Sequence, residues 1–376
     1  MYALLFADTG MSVWQISSLF VIWSAGSTLL EVPSGAWADA VSRRLLLCLA
    51  PLFAAAGFTL WVLFPSYPAF AAGFLLWGAG GALASGSLEA LVFTELGHFG
   101  AAGRYARTMG RARTAETLGV LLSTGLAGPV LAAGGYLAVG AASVLACLLA
   151  AAVATRFPEH QGPAPATDGP VDDEGDDLGW AASLRAGLDE VRADAEVRVA
   201  VLLLAVVTAV WGSLDEYTPL LAGDTGVDRG TVPVLLLLIW LGVTVGGLLA
   251  PLGERLTDRG YAALLAASGL ALAAGALLAR PAGFVLVATG FCGFQLATVL
   301  ADARLQARIT GPGRATVTSL AGTVTDLGTI IVYGAYALLA TGAGNGVAFA
   351  VLTVPYLMVA GALLARRNGP RARRGG

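Results

Sequence analysis

The sequence Gly35-Ala-Trp-Ala-Asp-Ala-Val-Ser-Arg-Arg44 joins two long apolar runs near the start of the chain. Gly35 and Asp39 are four residues apart, so a helix places them on one face. The glycine lets a neighbouring helix approach closely. The carboxylate can then face the end of that helix, while Arg43 and Arg44 stay in the aqueous interface. An ordinary basic loop that anchors a helical hairpin is the alternative interpretation.

The composition of the chain is that of a membrane protein. Hydrophobic residues make up 57% and charged residues 12% of the sequence, whereas a soluble domain has about 25% charged residues. The apolar residues fall into runs of roughly 20, the length that crosses a bilayer as a helix. We predict an all-α membrane protein with eleven full transmembrane helices and an apolar stub at residues 1–8. The full helices are predicted at 13–38, 45–64, 69–94, 108–133, 136–155, 197–221, 231–252, 261–279, 283–303, 314–341 and 345–365.

The distribution of arginine predicts the orientation. All 22 basic side chains are arginine, and alternating the loops between two sides leaves only Arg229 and Arg280 on one of them. Basic residues collect on the cytoplasmic side of membrane proteins. We therefore predict a multi-pass protein of the cytoplasmic membrane, with the Gly35–Arg44 loop, the central loop and the C-terminus in the cytoplasm. The net charge of −3 gives no indication of a nucleic-acid partner.

The longest loop divides the chain near its middle. We predict an N-terminal bundle of helices 1–6 at residues 1–155, in which the stub is helix 1. A cytoplasmic linker follows at 156–196, with a short amphipathic helix at Trp180–Val197. The C-terminal bundle of helices 7–12 and a basic tail occupy 197–376.

The two halves repeat each other weakly. Pro33–Pro65 resembles Pro251–Pro281, with Asp258 in the place of Asp39 and Arg259 in the place of the two arginines. Two pseudo-symmetric six-helix halves are an architecture of secondary transporters.

Carboxylates inside the predicted helices are the candidates for chemistry. Ionisable groups avoid lipid, so the helices without them, numbers 3, 6, 9 and 12, are predicted to be peripheral. Arg113 lies three residues before Glu116, so a structural ion pair is as good an interpretation as a functional role. Glu31 and Asp326 have no basic residue within one turn, which leaves proton coupling, contact with a cationic substrate and interhelical hydrogen bonding all open. The candidates are Glu31, Glu89, Glu116, Asp215, Glu216 and Asp326, with Asp302 close to Arg304.

The pattern Gly35-x-x-x-Asp39-x-x-Ser42-Arg43-Arg44 resembles the loop signature between helices 2 and 3 of the major facilitator superfamily, although Ser42 replaces the usual glycine. The preceding Leu30-Glu-Val-Pro-Ser34 is similar to bacterial efflux-type members. The resemblance implies two six-helix halves that alternate access to a central cavity. It also implies that Asp39 caps the start of helix 11 and that Arg43 or Arg44 bridges to Glu95 at the end of helix 4.

Predicted helix 5 carries a stripe of small residues with a proline kink at Gly128-Pro129. The stripe, Gly119, Gly125, Gly128 and Gly134-Gly135, resembles the antiporter signature of drug-efflux members, although Ala132-Ala133 lengthens its spacing. The resemblance implies efflux rather than uptake. Helix packing is the alternative, because small residues also favour close helix contacts.

The first helix departs from the family pattern, because residues 1–8 supply only its outer end. A start assigned too far downstream and a shortened, inactive protein are both open explanations.

We predict a monomeric secondary active transporter that moves a small molecule, by proton-coupled efflux. A proton-coupled importer and a non-transporting sensor or scaffold are the alternatives. The sequence has no phosphate-binding Gly-Lys-Ser/Thr loop, so ATP-driven transport is not expected. His98 and His160 are predicted in loops without ligand spacing, so neither a metal nor a cofactor is expected.

Overall fold

The computed structural model describes residues 1–40, 42–85, 87–160, 191–309 and 314–366, without the side chains of 31–40, 102, 106, 314, 315 and 366, and it is helical with no strand in these ranges. The helices are α1 Tyr2–Asp8, α2 Val13–Ala40, α3 Arg43–Leu63, α4 Tyr67–Ala84, α5 Ser87–His98, α6 Tyr105–Ala154, α7 Ala195–Asp215, α8 Thr218–Gly223, α9 Val232–Leu248, α10 Ala250–Gly253, α11 Asp258–Leu277, α12 Gly283–Arg308, α13 Arg314–Ala343, α14 Asn345–Leu352 and α15 Val354–Arg366, with a 3₁₀ turn at Ala102–Arg104.

The helices are long and apolar enough for a multi-pass membrane protein. Among the described residues, nine stretches qualify as membrane spans, and α9 is a shorter apolar helix. Helix α6 counts once, although Gly134 and Gly135 leave helical backbone angles and Gly135 has a φ of 62°. This interruption lies where the loop between predicted helices 5 and 6 was expected. The total of eleven spans stays a prediction, because it requires counting α6 twice and α9 as a span.

Predicted helix 4 is not continuous over 69–94. Helix α4 ends at Ala84 and α5 begins at Ser87, whose hydroxyl donates to the Leu83 carbonyl at 2.8 Å. Serine side chains compete for backbone hydrogen bonds in this way and weaken a helix. The break places Glu89 in the first turn of α5.

The chain forms two compact units, Met1–Asp177 and Leu178–Gly376. Their boundary falls inside the predicted linker at 156–196, while the finer domain limits stay predictions. The amphipathic helix predicted at Trp180–Val197 lies mostly outside the described residues. The predicted stub is helix α1, and its residues Ala3–Phe6 are buried.

Packing inside the two units follows one pattern. In the first unit α3 packs on α4 and α6, and α2 packs on α4. In the second unit α11 packs on α12, α14 and α15, and α9 packs on α12. These are equivalent pairs of the predicted six-helix repeat, so the weak sequence repeat corresponds to a repeated packing arrangement.

Glycines allow the closest of these contacts. A Cβ atom on Gly57 of α3 would lie 2.7 Å from the Gly73 carbonyl oxygen of α4, and one on Gly275 of α11 would lie 2.6 Å from the Gly283 carbonyl oxygen of α12. Small residues let helix backbones approach in this way. The repeat therefore extends to the residues that set the helix separation.

We expect Gly246→Ala to destabilise the protein, because its Cβ would lie 2.1 Å from the Cys292 carbonyl oxygen across the α9–α12 contact. Overpacking of this kind lowers the free energy of unfolding by roughly 1–3 kcal/mol. Gly334→Ala on α13 is the matched control, since no atom lies within 4 Å of its added Cβ. Thermal unfolding of the purified protein measures both, and equal midpoints for the two variants would contradict the expected backbone contact.

Candidate functional site

Arg113 lies between two carboxylates in the first unit. Its Nη1 is 3.3 Å from Glu116 Oε2 on the same helix, and its Nη2 is 3.3 Å from Glu89 Oε1 on α5. The ion pair with Glu116 was expected from the three-residue spacing. The contact with Glu89 was not expected, because no sequence spacing relates α5 to α6. We call Glu89, Arg113 and Glu116 the charged triad.

The charged triad lines a cavity of about 560 Å³ between α3, α4, α5 and the first part of α6. Two carboxylates and one guanidinium give the triad a formal charge of −1. The remaining wall is mainly apolar and consists of Leu47, Gly81, Ala84, Ser85, Leu88, Met109 and Ala112. A cavity with an apolar wall and a charged side suits an amphipathic ligand, and its volume is in the range of small-molecule sites, about 300–1,000 Å³.

We call Gly35–Arg44, which covers the end of α2 and the start of α3, the gating loop. It contacts α5 through Arg43. Its Nη1 donates to the Thr94 hydroxyl at 2.8 Å and to the Ala90 carbonyl at 3.3 Å. The expected partner, Glu95, instead accepts two hydrogen bonds from His160. The prediction of an Arg43 or Arg44 bridge to Glu95 is therefore wrong in this structure. Successive residues of a helix point about 100° apart, so a guanidinium aligned with Thr94 is not aligned with Glu95.

The two histidines lie together, contrary to expectation. His98 is the last residue of α5 rather than part of a loop. Its ring stacks on that of His160 with centroids 4.1 Å apart. Sixty-two positions separate them in sequence, so only the fold shows the contact. Within the described ranges, no group of three His, Cys, Asp or Glu side chains is arranged to hold a metal ion.

The second unit contains an altered version of the gating contact. Arg304 Nη1 of α12 lies 3.7 Å from Asp258 Oδ1, and its guanidinium carbon lies 4.3 Å from the Tyr261 ring centroid. In the first unit the loop supplies the arginine, whereas here the loop end supplies the acid. Arg304 thus pairs with Asp258 rather than with the neighbouring Asp302, and Arg259 is exposed.

Asp215 and Glu216 lie beside a tyrosine cluster at the end of α7. Both are half-buried, and the next residue, Tyr217, stacks on Tyr336 with ring centroids 3.6 Å apart. The Tyr336 hydroxyl donates to Asn345 at 2.6 Å, and the Asn345 amide donates to Asp224 at 2.8 Å. The acids of helix 7 are therefore next to a hydrogen-bonded set that runs from buried Tyr336 through Asn345 to exposed Asp224.

Several candidates remain predictions. The side chains of Glu31 and Asp39 are not described, and neither are the surroundings of Gly35 or the proposed cap of helix 11. Asp326 is half-buried on α13. Gly128 and Pro129 lie within α6, whose interruption is at Gly134-Gly135.

A second cavity of about 230 Å³ lies between α1, α3, α4 and the last part of α6. Its wall is aromatic and includes Tyr2, Phe58, Trp61, Trp77 and Tyr136. These residues come from four helices, which is why the sequence did not indicate a cavity.

A repeated bundle of apolar helices with a cavity is the architecture of many membrane transporters. The sequence matches the family model described as Major Facilitator Superfamily over residues 1–333. The chain therefore belongs to the major facilitator superfamily.

Solved transporter structures share this fold. The nucleoside transporter NupG superimposes with a TM-score of 0.73 and 12% identity, over 97% of this chain and 93% of that one. A bacterial homologue of the human lysosomal transporter Spinster superimposes with a TM-score of 0.69 and 16% identity, over 95% of this chain and 90% of that one. A D-xylose–proton symporter superimposes with a TM-score of 0.64 and 15% identity, over 95% of this chain and 89% of that one. No curated protein matches the sequence.

We expect the Arg113–Glu89 pair to behave as a solvated ion pair. The side chains are 69% and 38% exposed, and such pairs contribute about 0.2–1 kcal/mol. A double-mutant cycle with Arg113→Gln and Glu89→Gln measures the coupling free energy from unfolding. The exposed pair Arg308–Glu196 (3.6 Å) is the matched control cycle. A penalty of about 3 kcal/mol or more for the single variants would show instead that the cavity excludes water.

Proposed function

We propose that the chain is a secondary transporter that exports a small amphipathic or cationic molecule across the cytoplasmic membrane in exchange for protons. The two halves would alternate access to the substrate, as in other transporters built from repeats. The observation that carries this proposal is the charged triad on the wall of the 560 Å³ cavity.

The charge of the triad supplies a reason for coupling. Glu89 and Glu116 share one guanidinium, so one negative charge has no partner within the triad. An uncompensated negative charge on an otherwise apolar cavity wall attracts a cation. Either a proton or a monovalent cationic ligand neutralises it, and the two compete for the same carboxylates. Competition of this kind couples the release of a cation to the uptake of a proton.

Two features of the sequence support export. The small-residue stripe of helix 5 resembles the antiporter signature, and Leu30–Ser34 resembles the efflux-type members. The interruption at Gly134-Gly135 falls within that stripe. Among the neighbours in fold is a proton symporter, so direction of transport is the first property to measure.

We expect purified protein in liposomes to move ethidium, a permanently charged aromatic cation, when a pH gradient is imposed. Glu89→Gln and Glu116→Gln each remove the excess charge, so the flux should fall about tenfold or more in each. Glu196→Gln is the matched control, because it removes a paired glutamate outside the cavity. Wild-type flux in both triad variants would remove the triad from transport, and no ethidium flux in the wild type would contradict the proposed cationic substrate.

Charge variants also predict an order of affinity. Glu89→Gln gives the triad a net charge of 0 and Arg113→Gln gives it −2. Ethidium should bind most tightly to Arg113→Gln and least tightly to Glu89→Gln, with differences that shrink in salt because the cavity is solvated. Equal dissociation constants in the three proteins would contradict recognition by charge.

Glu31→Gln and Asp326→Asn test the second set of candidate coupling residues. If either carboxylate carries the coupled proton, its variant loses the pH dependence of flux while it still binds ethidium. Unchanged pH-dependent flux in both variants would remove these residues from the coupling role. Opposite orientations of the pH gradient in the same liposomes distinguish export with proton entry from proton-coupled import.

A further inference from the structure

The segment Phe157–His160 directly follows the last helix of the first unit and folds back onto that unit. We call it the strap. It contacts the start of α3 through Ser42 and Arg44, and the end of α5 through Glu95 and His98. None of its residues lines the cavity of the charged triad.

Glu159 of the strap caps the N-terminus of α3. Ser42 is the N-cap residue, and its hydroxyl accepts from the Leu45 amide at 3.1 Å and donates to Glu159 Oε2. The other carboxylate oxygen, Oε1, accepts from the Arg44 amide at 3.4 Å. The first amides of a helix lack partners within the helix, and a negative charge stabilises that end. The first turn of α3 has two arginines and no acid, so the strap supplies the charge that the helix lacks.

His160 of the strap binds a carboxylate at the C-terminal end of α5. Glu95 lies in the last turn of α5 and is only 7% exposed, although a carboxylate is unfavourable at the C-terminus of a helix. The His160 amide donates to Glu95 Oε1 at 2.8 Å, and His160 Nδ1 lies 2.7 Å from Oε2. Stacking on His98 holds the imidazole in place. Without the strap, a buried carboxylate would lose both contacts, and unsatisfied buried charges are costly.

Arg43 depends on these two attachments. Its guanidinium contacts Ala90 and Thr94 of α5, so the start of α3 must stay in a fixed position relative to α5. Arg44 adds a direct contact from its Nη1 to the Phe157 carbonyl at 3.5 Å. The strap is thus bonded to both of the elements that Arg43 joins.

We infer that Glu159 and His160 are positioning residues of the gating loop, which hold the start of α3, with Arg43 and Arg44, against the end of α5. The loop and α5 then move as one body. The consequence for transport rests on the proposed function, since a displaced gating loop slows the alternation of access, while neither Glu159 nor His160 lines the cavity.

Hydrogen–deuterium exchange of the full-length protein in nanodiscs tests the positioning directly. Glu159→Ala should speed exchange of the amides at residues 44–47 roughly fivefold, the typical effect of a lost helix cap. His160→Leu should speed exchange at the end of α5 and in the same α3 turn. Glu159→Gln and His160→Asn keep a hydrogen-bonding group at the same place and should stay closer to wild type. Arg156→Gln, an exposed neighbour outside the strap, should match wild type.

Either of two results would overturn the inference. One is wild-type exchange at 44–47 in both Glu159→Ala and His160→Leu. The other is equal acceleration in the conservative and non-conservative variants, which would show packing rather than hydrogen bonding. Each position has two variants, so one poorly folded protein does not decide the outcome.

Ethidium flux in liposomes tests the consequence. Glu159→Ala should lower the maximal rate about fivefold with KM within about twofold, because Glu159 itself does not line the cavity. A raised KM at an unchanged maximal rate would place the strap in substrate binding and overturn the positioning role. If the wild type moves no ethidium, the proposed substrate fails while the exchange experiment still decides the strap.

Discussion

Local compensation of charge is the constraint on which this structure depends. Charged residues make up 12% of the chain, and a charge among apolar helices within the bilayer needs a partner or a solvated cavity. Among the described residues, several carboxylates have partners on other elements: Glu95 is hydrogen-bonded to His160, Asp258 pairs with Arg304, and Glu196 pairs with Arg308. The charged triad has two carboxylates for one guanidinium, so its formal charges do not sum to zero. The candidate site therefore carries one negative charge that no member of the triad compensates.

The two halves share glycine-mediated helix contacts, but the charged residues at their gating contacts differ. Backbone approach between α3 and α4 is repeated between α11 and α12. The gating contact is not repeated in kind, because Arg43 is provided by the loop and Arg304 by the facing helix. Packing geometry is thus shared more closely than the electrostatics on it. This difference in electrostatics is a structural reason for the two halves to move differently.

Sequence patterns predicted the apolar spans, the duplication and the Arg113–Glu116 pair, since each depends on local spacing or composition. The family and its transport role, implied by the Gly35–Arg44 pattern, were confirmed by the family match over residues 1–333. The break between α4 and α5 was missed because the apolar pattern continues through it, whereas the backbone leaves helical angles at Ser85. The partner of Arg43 was wrong by one position, which on a helix is a different face. His98 contacts His160, and Glu89 contacts Arg113, across different elements of the fold. Sequence periodicity describes single helices and therefore does not predict such contacts.

The interruption of α6 has a mechanical consequence. Gly134 and Gly135 replace a loop with two residues, one of them at a φ that disfavours side chains. Two residues span at most about 7 Å, so the ends of the two arms that they join stay close together. Arg113 and Glu116 lie on one arm of this hairpin, and the other arm leads into Phe157–His160. A displacement of the first arm at Gly134-Gly135 therefore also moves the start of the arm that leads to the residues that cap α3.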